Sequence, residues 1–196
     1  MISKLVLATR NAHKVKEIQK LLSELQIQVF CLNDFPDIPE VVEDGETFEA
    51  NALKKAQAIF NATQLPSLAD DSGLEVDYLD GRPGVYSARF AGENATDQQN
   101  NSKLLELLQD VPESNRTGRF RCVMALVDQN RMEIVSGSCK GKILNQQRGA
   151  NGFGYDPLFY VPHLQKTFAE LELDEKNKLS HRGIALSKAI EILKKW

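Results

Sequence analysis

Between Lys4 and Leu32 the chain changes hydrophobic period twice, and that succession restricts its architecture more than any other feature. Lys4 to Thr9 begins as an apolar run, the pattern of a buried strand, and Ala12, Val15, Ile18, Leu21, Leu22 and Leu25 then recur at helical spacing. Gln28 to Leu32 returns to a strand pattern. Strand, helix and strand in this order predict a β-α-β unit, whose parallel pairing uses a right-handed crossover. The expected fold class is therefore α/β.

The later segments extend this to a mixed sheet. Thr47 is placed to cap a helix carrying Phe48, Ala52, Leu53, Ala56 and Ile59, and Pro66 leads into a short strand, Ser67 to Ala69. A turn-rich stretch, Asp80 to Gly84, precedes a helix around Ser102 to Leu108. Phe120 to Val127 and Met132 to Ser138 predict a β-hairpin around Asp128 to Arg131. Ser180 can cap a last helix with Ile184, Ala185, Ala189, Ile190 and Leu193 on one face and Lys194 and Lys195 at its end.

No repeat, low-complexity tract or Ser/Gly linker divides the 196 residues, so a single domain over 1–196 is the simplest partition, and two lobes with a cleft also fit. With 42% hydrophobic residues the chain can build its core without disulfides. Cys31, Cys122 and Cys139 are odd in number and form no CxxC pair, which predicts reduced thiols. Twenty-four basic against 27 acidic residues, a formal charge of -3, argues against broad binding to a nucleic-acid backbone. The first apolar run is too short for a signal-peptide core, and no later run approaches the roughly 18 residues of a membrane span. The expected location is cytoplasmic, with no membrane partner.

Four segments can carry chemistry. Thr9-Arg10-Asn11-Ala12-His13-Lys14 lies where a strand ends and a helix begins, so backbone N–H groups, polar side chains and an ammonium converge on any bound anion. An Asn cap beside solvated His13 and Lys14 accounts for the same pattern. Asp70 and Asp71, followed by Ser72 and Gly73, end the predicted short strand. On extended backbone they face opposite ways, so one of them can hold Mg²⁺ or orient water, and an Asx turn is the alternative. Glu43, in the loop before the Thr47 helix, can supply a second carboxylate or merely a favourable charge near a helix start.

The third segment runs from Gly149 to Pro157. Its glycines let backbone approach a ligand, and Phe153 or Tyr155 can stack on a flat base; a Gly-rich turn into a strand at Leu158 to Val161 is the plain alternative. The fourth, Glu175 to Gly183, crowds Lys176, His181 and Arg182 at the start of the last helix, where cations meet the positive end of the dipole. A bound anion or a carbonyl-bearing ligand would offset that cost, and a solvated charged loop would also accommodate it.

Taken together, the segments LVLATRNAHKVKEI, EDGETFEANALKKA, LADDSGLEVDYLDGRPGVYSARFAG, GANGFGYDPLFYV and FAELELDEKNKLSHRGIAL closely resemble the inosine triphosphate pyrophosphatase family, in the family's order and over nearly the whole chain. The resemblance implies an elongated mixed sheet flanked by helices, with two lobes around a central nucleotide cleft, and a homodimer. It implies hydrolysis of deaminated purine nucleoside triphosphates (ITP, dITP, XTP) to the monophosphate and pyrophosphate with Mg²⁺. By motif position it makes Asp71 the proton acceptor and a metal ligand, Glu43 the second metal carboxylate and Ser72 a neighbour of the substrate. Thr9, Arg10, Asn11, Ala12, His13 and Lys14 would line the triphosphate. Phe153, Gly154, Tyr155, Asp156, Lys176, His181 and Arg182 would hold the nucleotide and its base.

The implied selectivity has a physical basis. Hypoxanthine and xanthine carry a 6-carbonyl where adenine carries an amino group, so donors such as His181 and Arg182 would be left unpaired by adenine, at a cost of about 1–3 kcal/mol per group. Two positions depart from the family pattern: Arg10 stands where many relatives have Gly, and Ala50 replaces a common Glu, leaving Glu46 or Glu49 as nearby substitutes. Two rival readings remain: a Maf-like nucleotide pyrophosphatase, to which the SHR and FGYD segments are less similar, and a catalytically silent nucleotide-binding protein.

Overall fold

A computed structural model describes residues 2–23 and 25–196. The β-α-β start is present as β1 (Lys4–Leu7), α1 (Ala12–Leu22) and β2 (Gln28–Cys31), with β1 and β2 parallel and Val6 opposite Phe30. α1 ends three residues before Leu25, the last apolar position of its helical pattern. α2 (Phe48–Thr63) begins at the predicted cap, with Ala50 N–H donating to Thr47 Oγ1 at 3.1 Å. It ends where Gln64 turns left-handed and its N–H donates to Phe60 O.

β3 spans Ser67–Val76, so the predicted short strand is ten residues long and the carboxylate pair lies within it rather than after it. Continuous burial explains the extension: Leu74 and Val76 carry the apolar pattern past the two acids. α3 (Asp97–Leu107) starts earlier than its apolar residues indicate, because Thr96 and Gln99 form a capping box ahead of them. β4 (Thr117–Val127) and β5 (Met132–Ile143) form the predicted hairpin, both longer than expected, around a turn in which Asp128 Oδ1 accepts from Asn130 and Arg131 N–H. β6 (Phe159–Val161) and β7 (Lys166–Thr167) follow. The crowded segment before the C-terminus is two helices, α4 (Leu173–Leu179) and α5 (His181–Leu193), so Lys176 sits on α4 and not at the start of α5.

The strands form one mixed sheet in the order β2-β1-β3-β4-β5-β6-β7, parallel from β2 through β1 to β3 and antiparallel from β5 through β6 to β7. Chain contacts divide the protein into two compact units: Met1–Asp71 with Cys122–Gly137 and His181–Trp196, and Ser72–Arg121 with Ser138–Ser180. Three divisions fall inside β3, β4 and β5, and the fourth falls between α4 and α5.

In the first unit, Leu5, Leu7, Leu68, Met124 and Leu126 face Ile18 and Leu22 of α1 and Ala185, Leu186, Ala189 and Leu193 of α5. α2 covers the other face, where Ser67 Oγ donates to Ala56 O at 2.7 Å. In the second unit, Phe120, Phe159 and Phe168 pack with ring centroids 4.7, 4.9 and 5.6 Å apart, beside Leu104 of α3 and Leu74 of β3. Among the described residues no helix is long and apolar enough to cross a membrane. Phe168→Ala removes one ring of the aromatic cluster and is expected to cost about 3–5 kcal/mol in urea unfolding.

Candidate active site

Extended backbone sends consecutive side chains to opposite faces of a sheet, and β3 uses this to separate its two acids. Asp70 shares the face of Leu68 and meets α1 and α5; Asp71 shares the face of Ser67 and meets α2.

On the Asp70 side, Oδ2 lies 3.0 Å from Lys14 Nζ and 3.3 Å from Arg182 Nε. Arg182 Nη1 in turn donates to Glu17 Oε2 at 2.6 Å. Asp70, Arg182 and Glu17 are all buried, so this is an ion network inside the first unit. Burial pushes the Asp70 carboxyl up, but Lys14, Arg182 and Lys55 outweigh it and hold the group far below the usual carboxylate range. The cost of placing Arg182 at the start of α5 is therefore offset by two of the protein's own carboxylates, where sequence reasoning looked to a bound anion or ligand carbonyl.

On the Asp71 side, Asn51 Nδ2 donates to Oδ2 at 3.0 Å, and Lys55 Nζ is 3.9 Å from Oδ1. The same ammonium is 2.9 Å from Glu43 Oε2 and donates to Asp70 O at 2.7 Å. Asn51 and Lys55 are one turn apart on the buried face of α2, which brings Glu43 and Asp71 to a common cation. Burial pushes the Asp71 carboxyl up to about 6, with Lys55 opposing the rise, Glu43 adding to it and the Asn51 hydrogen bond opposing it.

At the start of α1, Asn11 Oδ1 accepts from His13 and Lys14 N–H at 3.0 and 3.2 Å, and Thr9 Oγ1 accepts from Asn11 N–H at 3.1 Å. The Asn cap is thus formed, with Ala12 and His13 exposed on the first turn. Arg10 spans to the loop after β2, donating to Leu32 O at 2.8 Å and Ile38 O at 2.7 Å. His181 is buried at the first position of α5, next to Arg182.

The second unit holds the remaining segments. Ser72 is half-buried on β3. Asp156 Oδ2 accepts from Phe153 N–H at 3.0 Å and from Lys176 Nζ at 2.7 Å, while that ammonium stands 5.1 Å from the centre of the Phe153 ring. Gly152 has φ +75°, and a Cβ there would run into Asp156 Oδ2, so the turn requires glycine on both counts. Gly154 is held at both ends by α3: its N–H donates to Asp97 Oδ2 at 2.7 Å and its carbonyl accepts from Asn101 Nδ2 at 2.9 Å. Tyr155 is a core residue whose hydroxyl donates to Ser87 O at 2.9 Å, and burial pushes its pKa up.

All of these side chains fall within residues 5–192, the stretch that matches the Ham1 family. The chain belongs to the Ham1 family. It is similar to the dITP/XTP pyrophosphatase of Desulforamulus reducens, 58% identical over 97% of this chain and 95% of that protein. The protein of the same name from Geobacter sulfurreducens is 55% identical over 95% and 94%. Among solved structures, the HAM1 protein of Coxiella burnetii covers the whole of both chains at a TM-score of 0.90 and 44% identity.

Sequence reasoning did not assign the residues that hold these side chains: Asn51, Lys55 and Glu17 in the first unit, Asp97 and Asn101 in the second. Lys55 carried a readable signal, a lysine on the apolar face of α2 between Ala52, Ala56 and Ile59. Glu17 and Asn101 carried none, because each acquires its partner from more than 50 residues away, Arg182 and Gly154.

Two outcomes follow for stability. Asp70→Asn leaves Lys14 and Arg182 facing a neutral group, and urea unfolding at pH 7 is expected to show a loss of about 3–5 kcal/mol. Asp71 acts in the opposite sense: its raised folded-state pKa favours folding below its unfolded value near 4, and that contribution disappears as pH rises through about 6. With EDTA present, Asp71→Asn should therefore be the more stable protein at pH 8 by roughly 1–3 kcal/mol, with the gap closing towards pH 4 in melts across that range.

Proposed function

We propose that this Ham1 family member is a hydrolase that cleaves deaminated purine nucleoside triphosphates (dITP, ITP and XTP) to the monophosphate and pyrophosphate. One observation carries the reading: Glu43 and Asp71 converge on Lys55 at the buried face of α2, in a chain that is 58% identical to a relative named dITP/XTP pyrophosphatase. The relative's name supports the substrate class, and the site supports anhydride hydrolysis. Removing such nucleotides keeps them out of DNA and RNA.

Mg²⁺ is the metal this chemistry calls for, and the donor set suits it. Glu43 and Asp71 offer hard carboxylate oxygens, and the one Lys55 ammonium between them leaves the pair a net negative charge that suits a metal cation. Among the described residues no three His, Cys, Asp or Glu side chains cluster to hold a metal. Mg²⁺ needs only one or two protein carboxylates and leaves its other positions to water and phosphate oxygens. Bound there, it supplies positive charge to the phosphate oxygens.

The chain's own residues do the rest. Asp71 Oδ1 takes a proton from water as the water oxygen bonds to phosphorus and the α–β anhydride bond breaks, with pyrophosphate carrying off the bonding electrons. Burial beside Glu43 raises the proton affinity of the Asp71 carboxylate above that of an exposed aspartate, the direction a general base needs. Lys55 and Lys14 bring ammonium charge to the polyphosphate, and the loop Thr9, Arg10, Asn11, Ala12 and His13 lines it with polar groups. Ser72 lies beside the reacting acid in the chain. For the base, the second unit offers the Phe153 ring as a stacking face and the Gly154 backbone, held in place by Tyr155, Asp156 and Lys176. In the first unit His181 is the candidate donor for a 6-carbonyl, with Arg182 fixing the start of its helix through Asp70 and Glu17. A cytoplasmic homodimer completes the proposal, supported by the family resemblance; sedimentation equilibrium measures the assembly.

Pyrophosphate release from ITP, XTP, dITP, GTP, ATP and dTTP, with Mg²⁺ and with EDTA, tests the reading. Wild-type protein is expected to turn over ITP, XTP and dITP only with the metal, and Asp71→Asn to lower kcat by about 10²–10⁴-fold. Release chiefly from dTTP would indicate a Maf-like enzyme, and no release at all a silent binding protein.

A further inference from the structure

α2 presents two polar side chains on its buried face, and the reaction above uses only Lys55. The other, Asn51, is 1% exposed, and a primary amide so deeply buried must satisfy its donors and acceptor internally. Its Oδ1 accepts from Gly45 N–H at 2.7 Å, and its Nδ2 donates to Gly45 O at 3.3 Å and to Asp71 Oδ2 at 3.0 Å. One planar amide thus fastens the backbone two residues beyond Glu43 to the carboxylate of Asp71. The loop is shaped for this contact: a Cβ at Gly45 would stand 2.6 Å from Asn51 Oδ1 and 3.0 Å from Ala50 Cβ.

We infer that Asn51 is a positioning residue for the proposed hydrolysis, a clasp that sets the Glu43 loop against Asp71 and turns the Asp71 carboxylate for reaction. The inference rests on the reading of Glu43 and Asp71 as the reacting carboxylates. By claiming Oδ2, the amide N–H fixes the rotation of the carboxyl group and leaves Oδ1 turned towards Lys55. A neutral donor does this without matching the carboxylate with a full opposite charge. An Asp at the same position has no N–H to offer and would repel Asp71, and a Ala has neither donor nor acceptor.

The test compares wild type with Asn51→Ala and Gly45→Ala. The second variant keeps the amide but pushes the loop away from it, so it carries the test even if Asn51→Ala fails to fold. In both, NMR should show amide exchange at residue 45 faster by about tenfold or more, and kcat for XTP should fall by about tenfold or more with KM within about threefold. A folded variant with kcat within about twofold of wild type overturns the inference, as does a rise in KM alone or unchanged exchange at residue 45. Wild-type protein that releases no pyrophosphate from any nucleotide removes the reaction, and with it this role for Asn51. Exchange at residue 45 would then still report whether the clasp exists, so the two failures are distinguishable.

Discussion

Asp70 is a carboxylate that must stay ionised inside a protein, and the first unit is arranged around that requirement. Taking a charge out of water costs several kcal/mol, and only close, well-directed partners recover it. Lys14 from α1 and Arg182 from α5 supply them, and Glu17 balances the second charge of the pair. The network therefore ties together two helices and the strand on which they pack. α5 can carry Arg182 in its first turn because two carboxylates meet it.

Its neighbour in the chain has the opposite electrostatics. Burial makes the Asp71 proton harder to remove, the nearby Glu43 adds to this, and a neutral amide and a more distant ammonium only partly oppose it. Two identical side chains on adjacent residues thus acquire different acidities because a strand exposes them to different faces. Such divergence separates a structural carboxylate from one suited to proton transfer. The stability lost by ionising Asp71 is the counterpart of that suitability.

The second unit achieves order by another route. Its Gly-rich segment is held by α3 at Gly154, by Asp156 at Phe153 and by the Tyr155 hydroxyl at Ser87, so a stretch with the composition of a flexible loop is fixed at successive residues. Lys176 and Asp156 form a buried pair under the Phe153 ring. The glycines serve close approach as well as turning, since Gly152 leaves the space that the Asp156 carboxylate occupies.

The elements whose causes are local were legible from residue order alone. Asn11 and Thr47 cap the helices they precede, Asp128 closes the hairpin, and the β-α-β start pairs in parallel as its periodicity requires. Alternation along a strand was also sufficient to send Asp70 and Asp71 to opposite faces. Length was less legible: β3 continues through its acids because burial on both sides outweighs the low strand preference of Asp. Long-range partners were decided only by tertiary structure. Glu17 meets Arg182 across 165 positions and Asn101 meets Gly154 across 53, and no local pattern records such a pairing. Sequence determined which residues could be charged, capped or buried; folding decided which charges share an interior, because the energy of a buried ion depends on the few ångströms around it and not on its place in the chain.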